Sequence, residues 1–470
     1  MKPKILYIHP FCNPELSDFL FLPAGIVGVL NNLRSKNFSV TGLNIPLEMK
    51  LDSDMNFEEL IASFDFDIII LDCHWYYFLH GVQVIAESCK KINPDCFVLV
   101  GGFSANFFRY ELLKNCEAID VVLKGDQETL LPTIFKSLIS EGRKSLKKFP
   151  NIAYRNFFGF VVDKKISHFD NDINKCNYTD ISFMRHWKEY MGFYLGPKAP
   201  GVNQKFENEN FFYLPTQKGC IHNCPCCGGS AFSQKILSNK KGAFIRSPEK
   251  IFADFEYLNS LGVSKIMISC DSKLNDWVRI LKDLEKKKIF IGILFEDWQL
   301  PSKEFAKQMI SYAKKTDSGF LISALSGNEN IRLKNGKKAT NDELEEIAKI
   351  FADSDSYISF WFSPNIVGET FDSFQSAIDF AKELVSFNNK KKRISVQCSS
   401  MELDLTSQVY FQPKNFACKS YLWSYSDFLN HLKFRVKNTV KGNMSFESVE
   451  INVSKTNELI LLFEKELSIQ

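Results

Sequence analysis

Asn210-Phe211-Phe212-Tyr213-Leu214, followed shortly by Lys218-Gly219-Cys220-Ile221-His222-Asn223-Cys224-Pro225-Cys226-Cys227-Gly228-Gly229-Ser230, decides how this chain is read. The first five residues are largely apolar and aromatic and predict a strand. Cys220, Cys224 and Cys227 then form a C-x3-C-x2-C triplet. Three thiolates at that spacing can hold three corners of a [4Fe–4S] cube and leave the fourth iron without a protein ligand. An iron with an open position can bind and reduce a substrate, whereas a closed four-cysteine cluster can only pass electrons. The rival is structural zinc, which takes four ligands, usually in two separated pairs. The nearest later cysteine, Cys270, belongs to no second C-x2-C pair, so zinc would need Cys226 and His222 in a cramped set. Ordinary buried thiols rank third, given four cysteines within eight residues.

Downstream of this loop the pattern alternates. Ser247-Pro248-Glu249 starts a helix, with an N-cap, a proline in the first turn and an acid near the positive end. Ile251, Phe252, Phe255, Leu258 and Leu261 share one face, and Gly262 stops the helix. Strands are predicted at 265–269, 289–295, 319–325, 357–363 and 393–399, with helices at 274–285, 302–314, 341–352 and 371–384 between them. With 210–214 this gives six βα units, which fit a partial, open (β/α)6 barrel whose active face is the carboxyl end of its strands. The cysteine loop follows the first strand and so lies at that mouth.

Upstream, short apolar strands are predicted at 4–9, 39–43, 67–71, 96–100 and 119–123, as expected for parallel strands buried on both faces. Helices at 25–34, 81–91 and 127–138 alternate with them, which indicates a doubly wound open sheet. Ligands of such sheets bind beyond the carboxyl strand ends, where Asp72-Cys73-His74-Trp75, Gly101-Gly102-Phe103-Ser104-Ala105 and Gly125-Asp126-Gln127-Glu128-Thr129 stand. The Gly101-Gly102 pair allows a planar ligand close to the backbone or simply makes a βα turn.

Residues 206–400 resemble the radical SAM core. Residues 1–155 resemble the cobalamin-binding domain that precedes many such cores, on Leu22-Pro23-Ala24-Gly25, Val98-Leu99-Val100-Gly101-Gly102, the 120–129 segment and Asn151-Ile152-Ala153-Tyr154-Arg155. The fold implied is α/β: a Rossmann-like domain, a connection over 156–205, a TIM-like partial barrel and a cap over 401–470. Trp187, Tyr190, Phe193 and Tyr194 mark the connection. Phe416, Tyr421, Trp423, Tyr425, Phe428, Leu429 and Leu432 suggest an aromatic helical cap over the barrel opening.

The resemblance implies a [4Fe–4S] cluster on Cys220, Cys224 and Cys227, together with S-adenosyl-L-methionine (SAM) and cobalamin. Reductive cleavage of the SAM sulfonium would yield a 5′-deoxyadenosyl radical, with electrons from a reductant such as ferredoxin or flavodoxin. SAM contacts are expected from Gly228, Gly229 and Ser230; from Ser323, Ser326, Gly327, Asn328 and Glu329; and from Gly368 and Glu369. Cobalamin contacts are expected from Pro23, Gly25, His74, Gly101, Gly102, Ser104, Gly125, Asp126 and Glu128. The D-x-H-x-x-G signature that supplies an axial histidine is missing, because Asp72-Cys73-His74 lacks the glycine and follows another strand. Three further departures stand out. Cys226 replaces the usual aromatic before the third cysteine, Leu325 replaces a carboxylate before Ser-Gly, and Ser269-Cys270-Asp271-Ser272 replaces a Gly-Gly-Glu loop. Asp271 and Glu329 could compensate, and Glu296, Asp297 and Trp298 are candidates for substrate contact.

The expected reaction is methyl transfer to an unactivated carbon, or to a phosphinate phosphorus, of an unknown small molecule. Cobalamin-dependent radical cyclisation or rearrangement is the second reading, and a non-catalytic Fe–S or zinc module the third. Composition is compatible with an enzyme. The 470 residues are 45% hydrophobic and 24% charged with a net charge of +3, which gives no electrostatic bias toward nucleic acid or membrane. No apolar run approaches a membrane span. Thirteen cysteines behind an N-terminus without a signal-peptide core predict reduced thiols in the cytoplasm.

Overall fold

The computed structural model describes residues 3–12, 20–192, 210–435 and 446–468. The chain divides into two compact units, the first comprising Met1–Tyr190, Gln234–Lys241 and Leu422–Gly442, the second Met191–Ser233, Gly242–Tyr421 and Asn443–Gln470.

The first unit is built on seven strands: β1 (Lys4–His9), β2 (Ser39–Asn44), β3 (Ile68–Asp72), β4 (Phe97–Gly101), β5 (Val121–Leu123), β6 (Ile152–Arg155) and β7 (Val161–Asp163). Their order is β2-β1-β3-β4-β5-β6-β7. The first five pair in parallel, and β5–β6 and β6–β7 are antiparallel. Every residue of β3 is buried, which is why the sequence shows a continuous apolar run there and not an alternation. Strand order reverses between β1 and β3, and that switch point opens the crevice for ligands in sheets of this kind.

Two expectations are corrected in this unit. The hairpin β6–β7 and the segment beyond it belong to the sheet domain up to Tyr190, so no separate connection begins at 156. Packing explains this, since the Tyr190 hydroxyl accepts the Leu22 amide at 3.1 Å, and the Tyr178 ring fills the space beside Gly28. The aromatic helix Tyr425–Arg435 also belongs here and not to the barrel. Its Phe428 ring meets Tyr76 at 4.9 Å and Phe108 at 5.5 Å, and Tyr425 meets Phe108 at 5.2 Å. Phe193, Tyr194 and the side chain of Leu432 lie outside the described residues.

The second unit carries β8 (Phe211–Tyr213), β9 (Gln217–Cys220), β10 (Gly242–Ile245), β11 (Lys265–Cys270), β12 (Gly292–Asp297), β13 (Gly319–Leu325), β14 (Tyr357–Phe362), β15 (Ile394–Cys398), β16 (Cys418–Ser420) and β17 (Phe446–Ser448). Six of them form one all-parallel sheet, β15-β14-β13-β12-β11-β8, with sequence neighbours side by side as in an open barrel. Helix starts follow local chemistry: Ser247 caps Pro248–Ser260, Thr340 and Thr370 close capping boxes on Asn341–Phe351 and Phe371–Ser386. The helix Val453–Ser468 backs the barrel wall, where Phe463 meets Phe362 at 5.6 Å and Phe374 at 6.2 Å.

Candidate active site

The cysteine loop leaves the barrel between β8 and β11 on an antiparallel hairpin that sequence reading missed. Gly242 pairs with Cys220 at its end, so β9 delivers the first cysteine and β10 carries the chain back. Tight turns follow: Cys227 donates its amide to the Cys224 carbonyl at 3.2 Å, and Ala231 to His222 at 2.8 Å. His222 locks the loop to the end of β11, its Nε2 lying 2.7 Å from Asp271 Oδ2. Asp271 in turn donates its amide to Gln217 on β9 at 3.2 Å. Asp271 thus orients the loop through His222. The sequence marked Asp271 only as a residue standing where a Gly-Gly-Glu loop is replaced; in the structure it also caps the turn through the Lys273 amide.

Two backbone amides aim at cysteine sulfurs: His222 N–H to Cys220 Sγ and Gly229 N–H to Cys227 Sγ, both at 3.3 Å. Amides so placed stabilise thiolate and cluster sulfur charge. Burial pushes the Cys220 thiol up and the Cys227 thiol up to about 12, and the neighbouring thiols of the triplet add to both shifts. Such a group of thiols is poised for cations, whose charge converts each to a bound thiolate. Gly336, at φ 83°, completes the cradle. A Cβ there would lie 2.8 Å from Cys224 Sγ and 3.0 Å from Cys224 Cα. The chemistry of this donor set fits a cluster whose irons each take one thiolate. A single zinc ion would need His222 and Cys226 beside the triplet. His222 is held by Asp271, and the deeply buried Cys226 thiol lies beside Cys418 and Asp404.

The expected SAM-contact residues divide. Gly229 faces Cys227 Sγ, but Gly228 donates its amide to Asp404 Oδ2 at 2.9 Å, and Ser230 caps the following helix through Ser233 at 3.3 Å. Asp404, buried, was not singled out from sequence; its carboxyl is raised by that burial. After β13 the backbone bulges between Ser323 and Leu325, with Leu325 at φ 64°. Gly327 packs against the carbonyl of Ser376, Asn328 caps Glu329–Lys334, and exposed Glu329 accepts the Asn341 amide at 2.6 Å. Those three are accounted for by the fold. Ser326 and Glu369, both fully buried, come together from the loops after β13 and β14, with Gly368 at the left-handed turn before Glu369. Burial raises the Glu369 carboxyl, and its Oε2 has no hydrogen-bond partner. An orphaned buried acceptor is a place for a ligand hydroxyl or amine. Arg332, 1% exposed, shapes this rim by donating to the carbonyls of Ala324 at 3.0 Å and Ser326 at 2.7 Å. Beside it Leu325, Ile331 and Ile366 cluster, with Trp361 and Met401 packed on them.

Of the residues ending β12, only one faces inward with the half-buried set Ser269, Leu321, Ser323 and Trp361. Register aligns Ser269 with Glu296 and Glu296 with Leu321. The Ser269 hydroxyl donates to Glu296 at 2.5 Å and accepts the Trp298 indole N–H at 2.8 Å. Asp297 points the other way, because successive strand residues alternate faces. It is fully buried against Ser272 and the Gln299 amide, and burial raises its carboxyl to about 6. The expectation that Asp297 contacts substrate is therefore corrected.

In the first unit most expected ligand contacts are occupied by the fold itself. A Cβ on Gly102 (φ 111°) would lie 2.6 Å from the Cys73 carbonyl, so this glycine serves strand packing and not the approach of a ligand. Ser104 donates to the His74 carbonyl at 3.0 Å, Asp126 pairs with buried Lys240 at 2.7 Å, and Glu128 accepts the Gln127 amide at 3.1 Å. Pro23 caps the first helix, Gly25 is exposed in its first turn, Gly101 ends β4, and Gly125 turns at φ 59°. His74 meets Trp75 edge-on and Phe103 at a tilt, at 4.6 Å each, and burial lowers it to about 4, so it is a neutral imidazole. The switch point instead holds a group the sequence did not reveal. His9 Nδ1 lies 3.0 Å from Asp72 Oδ1, which also accepts the Tyr7 hydroxyl at 2.6 Å. Only the pairing of β1 with β3 brings residues so distant in sequence together.

Residues 214–381 match the radical SAM superfamily model. These residues are a radical SAM domain. A hopanoid C-3 methylase from Methylococcus capsulatus is 26% identical over 264 residues, covering 55% of this chain and 45% of the relative. An uncharacterized methyltransferase from Pyrococcus horikoshii is 25% identical over 183 residues, 38% of this chain and 36% of the relative. The chain spans less than half the length of these curated relatives. Beyond the radical SAM domain the likeness extends to whole folds. TsrM, a radical S-adenosylmethionine methyltransferase from Kitasatospora setae solved with cobalamin and a [4Fe-4S] cluster, superposes with a TM-score of 0.67 at 12% identity, covering 99% of this chain and 89% of that one. OxsB, a cobalamin-dependent S-adenosylmethionine radical enzyme, gives 0.58 at 14% identity, covering 100% of this chain and 62% of that one.

Proposed function

We propose that this chain is a cobalamin-dependent radical SAM methyltransferase that methylates a carbon of an apolar small molecule. The observation that carries this reading is the cysteine loop, held at the carboxyl mouth of a parallel half-barrel with two amides on its sulfurs and Gly336 clearing Cys224. Cys220, Cys224 and Cys227 would hold the cluster, which when bound supplies the electron that breaks the SAM sulfonium bond. Glu369, with its spare oxygen beside Ser326, is positioned to accept a hydrogen bond from a polar group of SAM, and the Leu325–Ile366 patch suits its flat base. Glu296, oriented by Ser269, offers the inward wall a fixed acceptor among apolar neighbours, which suits a substrate that is hydrophobic apart from one donor group. The methylase names of the two curated relatives support methyl transfer over rearrangement, and the hopanoid of the first supports an apolar acceptor. Cobalamin would lie over the carboxyl strand ends of the first unit, at the β1/β3 switch point where neutral His74 stands. The test is anaerobic reconstitution with iron, sulfide and cobalamin, then SAM and a reductant. Both 5′-deoxyadenosine and S-adenosylhomocysteine are expected; 5′-deoxyadenosine alone would favour a rearrangement, and neither product would refute the reading.

A further inference from the structure

The strongest feature outside the site is the tip of hairpin β6–β7. Phe157, Phe158 and Phe160 are 98%, 78% and 71% exposed there, side by side in Asn156-Phe157-Phe158-Gly159-Phe160. Three neighbouring aromatic side chains in water are costly unless something covers them. The tip is rigid. Asn156 donates its amide to the Phe160 carbonyl at 2.9 Å, its carbonyl accepts Gly159 at 3.0 Å, and its side-chain oxygen accepts the amides of Phe158 and Phe160 at 3.0 Å. At the root, the Arg155 guanidinium donates to the carbonyls of Glu117 and Ile119 at 2.6 Å and of Cys116 at 3.2 Å.

We propose that this tip docks on an anionic lipid bilayer, inserting its phenylalanines into the headgroup layer. Two observations select that occupant over a protein. The amides of Phe158, Gly159 and Phe160 are all satisfied within the turn, which lowers the cost of their entering an apolar medium and leaves none of them to pair with a partner strand. The segments flanking the hairpin are also basic: residues 143–165 contain seven Lys or Arg and one acid, and although Arg143 pairs with Asp120 and Lys148 with Glu141, Lys144, Lys147 and Lys165 stand exposed. That acid, Asp163, is already paired with Arg109 at 2.7 Å and with Lys124. Exposed lysines flanking a hairpin with an aromatic tip suit the negative surface potential of anionic lipid.

The experiment uses the full chain, reconstituted anaerobically, sedimented with vesicles of phosphatidylglycerol and phosphatidylcholine or of phosphatidylcholine alone. The expected result is pelleting with the anionic vesicles, weakened by high salt and reduced at least tenfold in F157S/F158S/F160S. Unchanged circular dichroism and melting of the variant exclude misfolding, and the single F158S keeps the test available if the triple variant does not fold. Failure of the wild type to pellet, or pelleting of a folded variant like the wild type, overturns the proposal. A wild-type dimer that the variant converts to monomer in light scattering also overturns it, by assigning the tip to a second copy.

Discussion

Replacing Gly336 by alanine isolates the geometry of the cluster cradle. The residue sits at φ 83°, and the added methyl would lie 2.8 Å from Cys224 Sγ. A non-glycine residue in the left-handed region costs about 1–2 kcal/mol. Forcing a methyl into packed space costs about 1–3 kcal/mol more, and here that second cost falls on the position of a cluster ligand. Gly368 supplies the control, since it has φ 82° but its nearest neighbour is the flexible Lys334 side chain at 3.5 Å. Gly368→Ala therefore carries the backbone cost alone. The difference between the variants, about 1–3 kcal/mol, corresponds to a roughly 5- to 150-fold loss in the cluster's binding constant. Iron and sulfide per chain after anaerobic reconstitution, followed by the rate of iron loss to a chelator, measure it. Gly336→Ala should hold its cluster far more weakly than Gly368→Ala while melting within a few degrees of it. Equal retention by the two would refute the cradle.

Cys220→Ala, Cys224→Ala and Cys227→Ala should each give colourless protein, whereas Cys226→Ala should stay brown; visible absorption after reconstitution checks both. Asp271→Asn should weaken the hold on His222 by about 1 kcal/mol and speed cluster loss to chelator without changing the iron initially bound. Asp254→Ala removes the carboxylate to which buried Arg246 donates at 2.9 Å and should lower stability by about 1.5–3 kcal/mol in denaturant titrations. Asp297, raised to about 6, binds its proton more tightly folded than unfolded. Its contribution to stability is thus complete below its unfolded value of about 3.9 and is lost as pH rises through about 6. Melting temperatures across that window should fall less steeply in Asp297→Asn.

Much of the fold was legible because buried parallel strands and capped helices write themselves locally. The run Gly319–Leu325 and the capping residues Ser247 and Thr370 needed no distant partner to be recognised. The three cysteines of the loop were legible as a group for the same reason, being a matter of spacing. What was hidden depends on pairing at long range. The β9–β10 hairpin is four residues on each side with three glycines or alanines among them, too weak a pattern to read as strand. The His9–Asp72 and His222–Asp271 contacts span 63 and 49 residues. Conversely Gly102, Ser104 and Asp126 looked like ligand contacts because a residue type that suits a ligand also suits a tight turn, a cap or a buried ion pair. The aromatic helix at 425–435 was assigned to the wrong neighbour, since an amphipathic face states that it needs cover and not which surface provides it.

The first unit borrows Gln234–Lys241 from the middle of the cysteine hairpin, and with it Lys240, the counter-charge of Asp126. No single cut in the gene can therefore yield both units whole. A fragment ending at Tyr190 would lose Lys240, the cation that pairs with buried Asp126. Modular transplantation, in which one half is swapped for that of another enzyme, must carry this eight-residue loan along or redesign the acid it neutralises.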